Sequence, residues 1–177
     1  MTNTCINIAK LRAEIKPLDL TQPYLPSVDE QVYLAFYGID FQQSLESVAQ
    51  YFGYLPSVDL SGKQQRIACH YFKNENAART CFIVHGYMDH SGLYGKLIHY
   101  LLHRGCSVVM IDLPGHGLST GEPATINSFG DYNLALRQCI DYFHQKTPAP
   151  LHIVGQSMGG AIVMDYLLSQ QAEDKGV

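Results

Sequence analysis

The stretch LHIVGQSMGGA, residues 151–161, decides how the chain is read. A short apolar run ends on Gly155, a serine follows at 157 between Gln156 and Met158, and Gly159 opens a segment with helical spacing through Ile162, Tyr166 and Ser169. This is a strand turning sharply into a helix with a serine at the corner. In such a turn side chains at the neighbouring positions would collide, which gives Gly155 and Gly159 a physical reason. The corner lifts the hydroxyl clear of the sheet and sets it over a helix N-terminus. There, backbone N–H groups and the helix dipole can stabilise an oxyanion. G-x-S-x-G alone is a weak pattern, and a plain glycine-rich turn is its bland reading. The strand before it and the helix after it make the nucleophile reading the stronger one.

Two further short apolar runs, TCFIVHG and SVVMIDLPG, are rich in Val and Ile and close on Gly or Pro. Runs that are apolar on both faces belong to strands covered by helices on both sides, so a mostly parallel sheet is expected. QRIACHYF alternates instead, as an edge or half-buried strand does. Between the runs, Tyr94, Leu97, Ile98, Leu101 and Leu102 form one helical stripe that ends at Arg104-Gly105. Phe129, Tyr132, Leu136, Ile140 and Phe143 form a second, with Ser128 as N-cap and Asp131 three residues on. Strand–helix alternation with right-handed crossovers predicts an α/β fold with helices on both faces of the sheet.

Residues 1–60 have a different character and are read as a mainly helical N-terminal extension, with residues 61–177 as the α/β domain. The extension holds Pro17, Pro23, Pro26 and Pro56, and the hexapeptide YLPSVD occurs in it twice, at 24–29 and 54–59. Two copies do not make a repeat architecture. Ser27 and Glu30 fit a capping box, which predicts a helix from about Asp29, broken near Gly38. A second helix is expected from about Ser44 to Phe52.

With 177 residues and 46% apolar content the chain can bury a sizeable core, which excludes a disordered protein. Its net charge of −4 and the lack of a basic run argue against nucleic acid as a partner. The N-terminus lacks a signal-peptide core, and the apolar runs are too short to span a bilayer. Five cysteines (Cys5, Cys69, Cys81, Cys106 and Cys139) show no C-x-x-C spacing. They are read as reduced thiols of a cytoplasmic protein, with no metal site and no cofactor.

In an open α/β sheet, functional groups gather at the carboxyl ends of the strands. Three loops leave those ends: HGYMDHSGLY, DLPGHGLSTG and GQSMGG. Gly86 after His85 lets the next backbone N–H approach a substrate closely, so the Tyr87 and Met158 amides are the candidate oxyanion donors. The glycines at 115, 117 and 121 do not give G-x-G-x-x-G, and Pro114 lacks a phosphate-cradling N–H. Asp112 and His116 are accordingly read as braces of their loop.

Together, VHGYMDHSGLY, VVMIDLPGHGLSTG and IVGQSMGGAIVMDYL make the chain, over about residues 63–171, resemble the monoglyceride lipase and lysophospholipase branch of the α/β-hydrolase superfamily, sometimes grouped with serine aminopeptidases. The resemblance implies Ser157 as nucleophile, the Tyr87 and Met158 amides as oxyanion hole, and His85 as its structural support. It implies a mono-acyl ester or lipid substrate. Contact with a membrane surface would suit such a substrate, but no amphipathic basic helix supports it. It also implies a cap and then a catalytic Asp and His, after strands this chain does not contain. The expectation is therefore the N-terminal part of a hydrolase, cut after the helix that follows Ser157. The family strand order would leave LHIVG with one side unpaired, an edge that invites another chain. A split subunit completed by a C-terminal fragment is the alternative. A makeshift triad of Ser157 with His85 or His116 and Asp112 or Asp89 is the minor one. General-base catalysis needs hydrogen-bond reach of about 3 Å, which nothing in the spacing promises.

Overall fold

The computed structural model describes residues 6–174, with side chains described to Gln171. Cys5 lies outside the described residues, and Cys69, Cys81, Cys106 and Cys139 are buried free thiols. Five strands form one sheet in the order β1-β2-β4-β3-β5. They are β1 (Val48–Val58), β2 (Gln64–Asn74), β3 (Arg79–Val84), β4 (Cys106–Ile111) and β5 (Leu151–Gly155). The helices are α1 (Ile8–Glu14), α2 (Val28–Tyr37), the single turn α3 (Phe41–Ser44), α4 (Gly95–His103), α5 (Phe129–Phe143) and α6 (Met158–Asp174).

Alternation along the central strands builds two cores. Ala68, Phe72, Ile83, Val108 and Met110 face α1, α2 and α4, where Leu11, Tyr33, Leu34, Ile98 and Leu102 close one core. Ile67, Cys69, Tyr71, Phe82, Val84, Val109 and Ile111 face α5 and α6, where Tyr132, Leu136, Cys139, Ile140, Phe143 and Ile162 close the other. This two-sided burial is why TCFIV and SVVMI are continuously apolar. The capping boxes of Ser27 with Glu30 and of Ser128 with Asp131 both form. Gly38 ends α2 at φ 64°, and Gly105 follows α4 at φ 70°.

The expected α/β sheet with helices on both faces forms, and one expectation about the N-terminal residues is corrected. The sheet is mixed: β3 runs parallel to β4 and β5, but β2 runs antiparallel to β1 and β4. Only residues 75–78 join β2 to β3, whereas a parallel crossover needs about a dozen residues or more, so the chain must reverse there. The correction concerns the second N-terminal helix: α3 ends at Ser44 and no helix covers residues 45–52. After the turn of α3, β1 runs from Val48 through Val58 and pairs with β2 along its whole length, so the sheet begins before residue 61. Val48, Tyr51, Phe52 and Tyr54 suit a pleated surface, and Pro56 is tolerated because β1 is an edge strand. The two YLPSVD copies thus differ: the first leads through Ser27 into α2, the second lies mostly within β1. Identical local propensity is overridden by the partner strand.

β5 pairs with β3 on one side and has no strand on the other among the described residues. Beside it α6 exposes Met164 and Leu168, 66% and 64% accessible.

His70, in the middle of β2, is fully buried and stacks on Phe52 at 4.1 Å and on Phe72 at 5.9 Å. Neither ring nitrogen has a hydrogen-bond partner among the described residues. Burial pushes its pKa down to about 4. Its folded pKa lies below the unfolded value of about 6.5, so the unfolded chain binds the proton more readily as pH falls. Folding stability contributed by neutral His70 is therefore full above about pH 6.5 and declines towards pH 4, by about 3 kcal/mol in all. Denaturant titrations at pH 7 and pH 4.5 should show this loss. His70→Phe should flatten much of that slope, leaving the smaller part from His85, which burial also shifts downward. An unchanged slope in that variant would contradict the assignment.

Candidate active site

Ser157 sits between β5 and α6 with φ 51°, in the left-handed region that few non-glycine residues occupy. Such strain costs about 1–3 kcal/mol and persists only where the surroundings enforce it. The enforcement is visible. Gln156 N–H donates to Val84 O at 3.0 Å, extending the β3–β5 pairing to the corner. The Ser157 carbonyl then accepts from Gly160 N at 2.9 Å and starts α6. A Cβ at Gly159 would lie 2.2 Å from Val84 O, and one at Gly155 would lie 2.6 Å from Gly159 O. Both contacts are with backbone that cannot give way, so the two glycines let α6 start hard against the end of β3. The Ser157 side chain is exposed, and no described side chain hydrogen-bonds its hydroxyl.

The loop after β3 is held from several sides. His85 is fully buried; its Nε2 accepts from Leu113 N at 2.9 Å, so Nδ1 carries the proton and donates to Gly86 O at 2.7 Å. Burial shifts its pKa downward, which favours this neutral tautomer. With both nitrogens engaged, His85 has no lone pair for Ser157. Tyr94 reaches into the same loop: its hydroxyl accepts from Gly86 N at 3.2 Å and lies 2.9 Å from Asp89 Oδ2 and 3.2 Å from Gln156 Oε1. Burial raises the Tyr94 pKa to about 12, so the phenol keeps its proton. One phenol thereby ties the β3 exit to the residue before Ser157. The Tyr87 side chain donates to Ala124 O at 3.1 Å, while the Tyr87 and Met158 amides have no acceptor among the described residues.

Asp112 joins this loop to the one after β4. It is fully buried; Oδ1 accepts from Ser91 N at 2.7 Å and from the Ser91 hydroxyl, and Oδ2 accepts from Leu118 N at 2.7 Å. Both oxygens are committed to these donors. His116 is buried, donates from Nδ1 to Pro114 O at 2.9 Å, and packs between His85 and Tyr132. Its Nε2 is buried without a partner among the described residues. His90 turns away: its Nδ1 accepts from Gly92 N at 3.2 Å. The makeshift triad of Ser157 with local histidines therefore has no hydrogen bond to support it. Among the described residues no three His, Cys, Asp or Glu side chains gather around a metal position. Two hollows of about 660 Å³ are lined by other residues, one by Pro56, Arg66 and Thr120, the other by Phe36, Phe41 and His99.

Several supporting residues escape a reading of the sequence. Tyr94 counts there as one member of an apolar stripe; the signal in it is a hydroxyl where Leu or Phe would serve packing alone. Arg12 on α1 donates to Gly117 O, and the Tyr54 hydroxyl donates to Leu118 O at 2.9 Å. Nothing local marks either residue, because each acts across a long separation in the chain.

A sheet of this order, with a strained serine at the corner after its fifth strand and two braced loops beside it, defines an α/β-hydrolase. The chain belongs to the family described as serine aminopeptidase, S33, which matches residues 75–177. Mouse monoglyceride lipase is 33% identical over 100 residues, covering 55% of this chain and 33% of the relative. A phospholipase of Bacillus subtilis, YtpA, is 31% identical over 100 residues, covering 56% of this chain and 38% of its own. The chain thus spans about a third of the length of the relatives it matches. Among solved structures, Est1E of Butyrivibrio proteoclasticus with ferulic acid bound superposes with a TM-score of 0.56 at 21% identity. That match covers 65% of this chain and 47% of Est1E.

Replacing Asp112 by Asn sets an NH2 group against donors and leaves a buried N–H or hydroxyl unpaired. The expected loss is about 2–4 kcal/mol of folding stability, read from the denaturant midpoint. A midpoint within error of the parent would remove Asp112 from its bracing role.

Proposed function

We propose that the protein acts as a serine hydrolase of carboxylic esters, with Ser157 as nucleophile and the Tyr87 and Met158 amides as oxyanion hole. Monoacylglycerols and lysophospholipids are the substrate class, a reading supported by the lipase and phospholipase relatives. The observation that carries it is the strained, exposed Ser157 at the start of α6, next to a β3 exit whose Tyr87 amide has no acceptor among the described residues. In the first step the Ser157 oxygen attacks the carbonyl carbon, its proton passes to a base, and charge builds on the carbonyl oxygen between the two amides. The ester bond breaks, the alcohol leaves with a proton, and water then cleaves the acyl-enzyme to release the acid and restore the hydroxyl.

Base and acid are assigned to sequence other than residues 1–177. The full engagement of His85 and Asp112, and the absence of a described partner for the Ser157 hydroxyl, support that assignment. A second reading draws on the edge of β5, which no described strand pairs, and the exposed apolar side of α6: a hydrolase half that joins a complementing fragment. In that reading the catalysis belongs to the assembly.

A fluorophosphonate probe should label Ser157 when the chain is joined to, or mixed with, sequence that supplies the acid and base, and Ser157→Ala should abolish the label. Residues 1–177 alone should hydrolyse a p-nitrophenyl ester slower by a factor of about 10⁴ or more, because the base is lacking. Labelling that survives Ser157→Ala would overturn the assignment.

A further inference from the structure

On α4, Ile98 and Leu102 are buried and fix the rotation of the helix against β4. His99 and His103 each follow one of them. The four-residue repeat that sends the two apolar side chains into the core therefore sets the two imidazoles side by side in solvent. Their Nε2 atoms lie 3.1 Å apart, with ring centroids at 4.4 Å and planes inclined by 65°. Two imidazole nitrogens bound to one metal at about 2.0–2.1 Å, with an angle of about 90–110° between them, are separated by about 2.9–3.4 Å. The observed spacing falls within that range. Arg104, which follows His103 in the chain, is turned onto Tyr100, 5.3 Å from its ring and hydrogen-bonded to its hydroxyl, which draws its charge to that side chain.

We propose that His99 and His103 form a two-point site for a borderline divalent transition cation: Zn²⁺, Ni²⁺ or Cu²⁺. Imidazole suits these ions, whereas Mg²⁺ and Ca²⁺ require oxygen donors that the pair does not offer. No third His, Cys, Asp or Glu among the described residues joins the pair, so water or a group from another molecule completes the coordination. The site is therefore exchangeable, and occupying it clamps the last turn of α4. It stands apart from Ser157 and does not depend on the hydrolase reading.

The test is calorimetric titration of the untagged chain with CuCl₂, NiCl₂, ZnCl₂ and MgCl₂, together with electron paramagnetic resonance of the Cu²⁺ form. One equivalent should bind, Cu²⁺ more tightly than Ni²⁺ or Zn²⁺. The copper spectrum should report two imidazole nitrogens. His99→Asn and His103→Asn should each weaken binding at least tenfold and leave one nitrogen in the spectrum. His144→Asn and His152→Asn, which remove exposed solitary histidines, should change nothing. Thermal melts without metal keep the comparison among folded proteins, and either member of the pair serves if one variant is unstable. Lack of a one-to-one complex, or wild-type affinity in either pair variant, would overturn the site and leave an N–H···N contact between two surface histidines.

Discussion

The two loops beside Ser157 are joined by one buried carboxylate. Asp112 accepts from Ser91 with one oxygen and from Leu118 with the other, so the loops after β3 and β4 cannot move independently. Leu113, the next residue, donates to His85 and thereby sets the imidazole that holds Gly86. Ser119, at the far side of the same loop, donates to the Asp112 carbonyl at 2.5 Å and accepts from Ala68 N at 2.8 Å, tying the assembly to β2. A charged acceptor in a low-dielectric setting makes each of these bonds stronger than it would be in water, and makes the loss of any donor costly. Rigid loops are what an oxyanion hole requires, since its donors must stand in place before charge develops.

The N-terminal residues take part in that rigidity. Arg12 and Tyr54 both bind carbonyls of the Gly117–Leu118 turn, and Tyr33 packs close to His70 and His90. Residues 6–60 are thus a brace behind the β4 loop as well as a cover for the first core. Part of their contribution reaches the loops beside Ser157 through Asp112, since Leu118 N donates to its carboxylate, and that gives the brace a positioning role.

How much of this could be read beforehand follows the range of each interaction. The Ser157 corner was legible because its constraints are local: two glycines meet backbone within a few residues or across one ladder. The capping boxes at Ser27 and Ser128 were legible for the same reason. β1 was not, since YLPSVD reads alike in both copies and only pairing with residues 64–74 makes the second a strand. The direction of β2 is not written in its residues, because alternation reports burial and carries no sign of polarity. Which nitrogen of His85 holds the proton depends on an amide 28 positions away, and the partner of Arg12 lies 105 positions away. No pattern in a window of sequence encodes either.

The proposed chemistry requires that Ser157, Tyr87 N–H and Met158 N–H converge on one reacting carbonyl beside the Asp112-linked loops. The most direct measurement is a crystal structure of the protein, with its acid and base supplied, after reaction with a phosphonate ester. The account predicts a covalent Ser157 Oγ–P bond, with the phosphonyl oxygen about 3 Å from both amides and the Asp112 bonds unchanged. A phosphonyl oxygen pointing into solvent, or an adduct on any other residue, would contradict it.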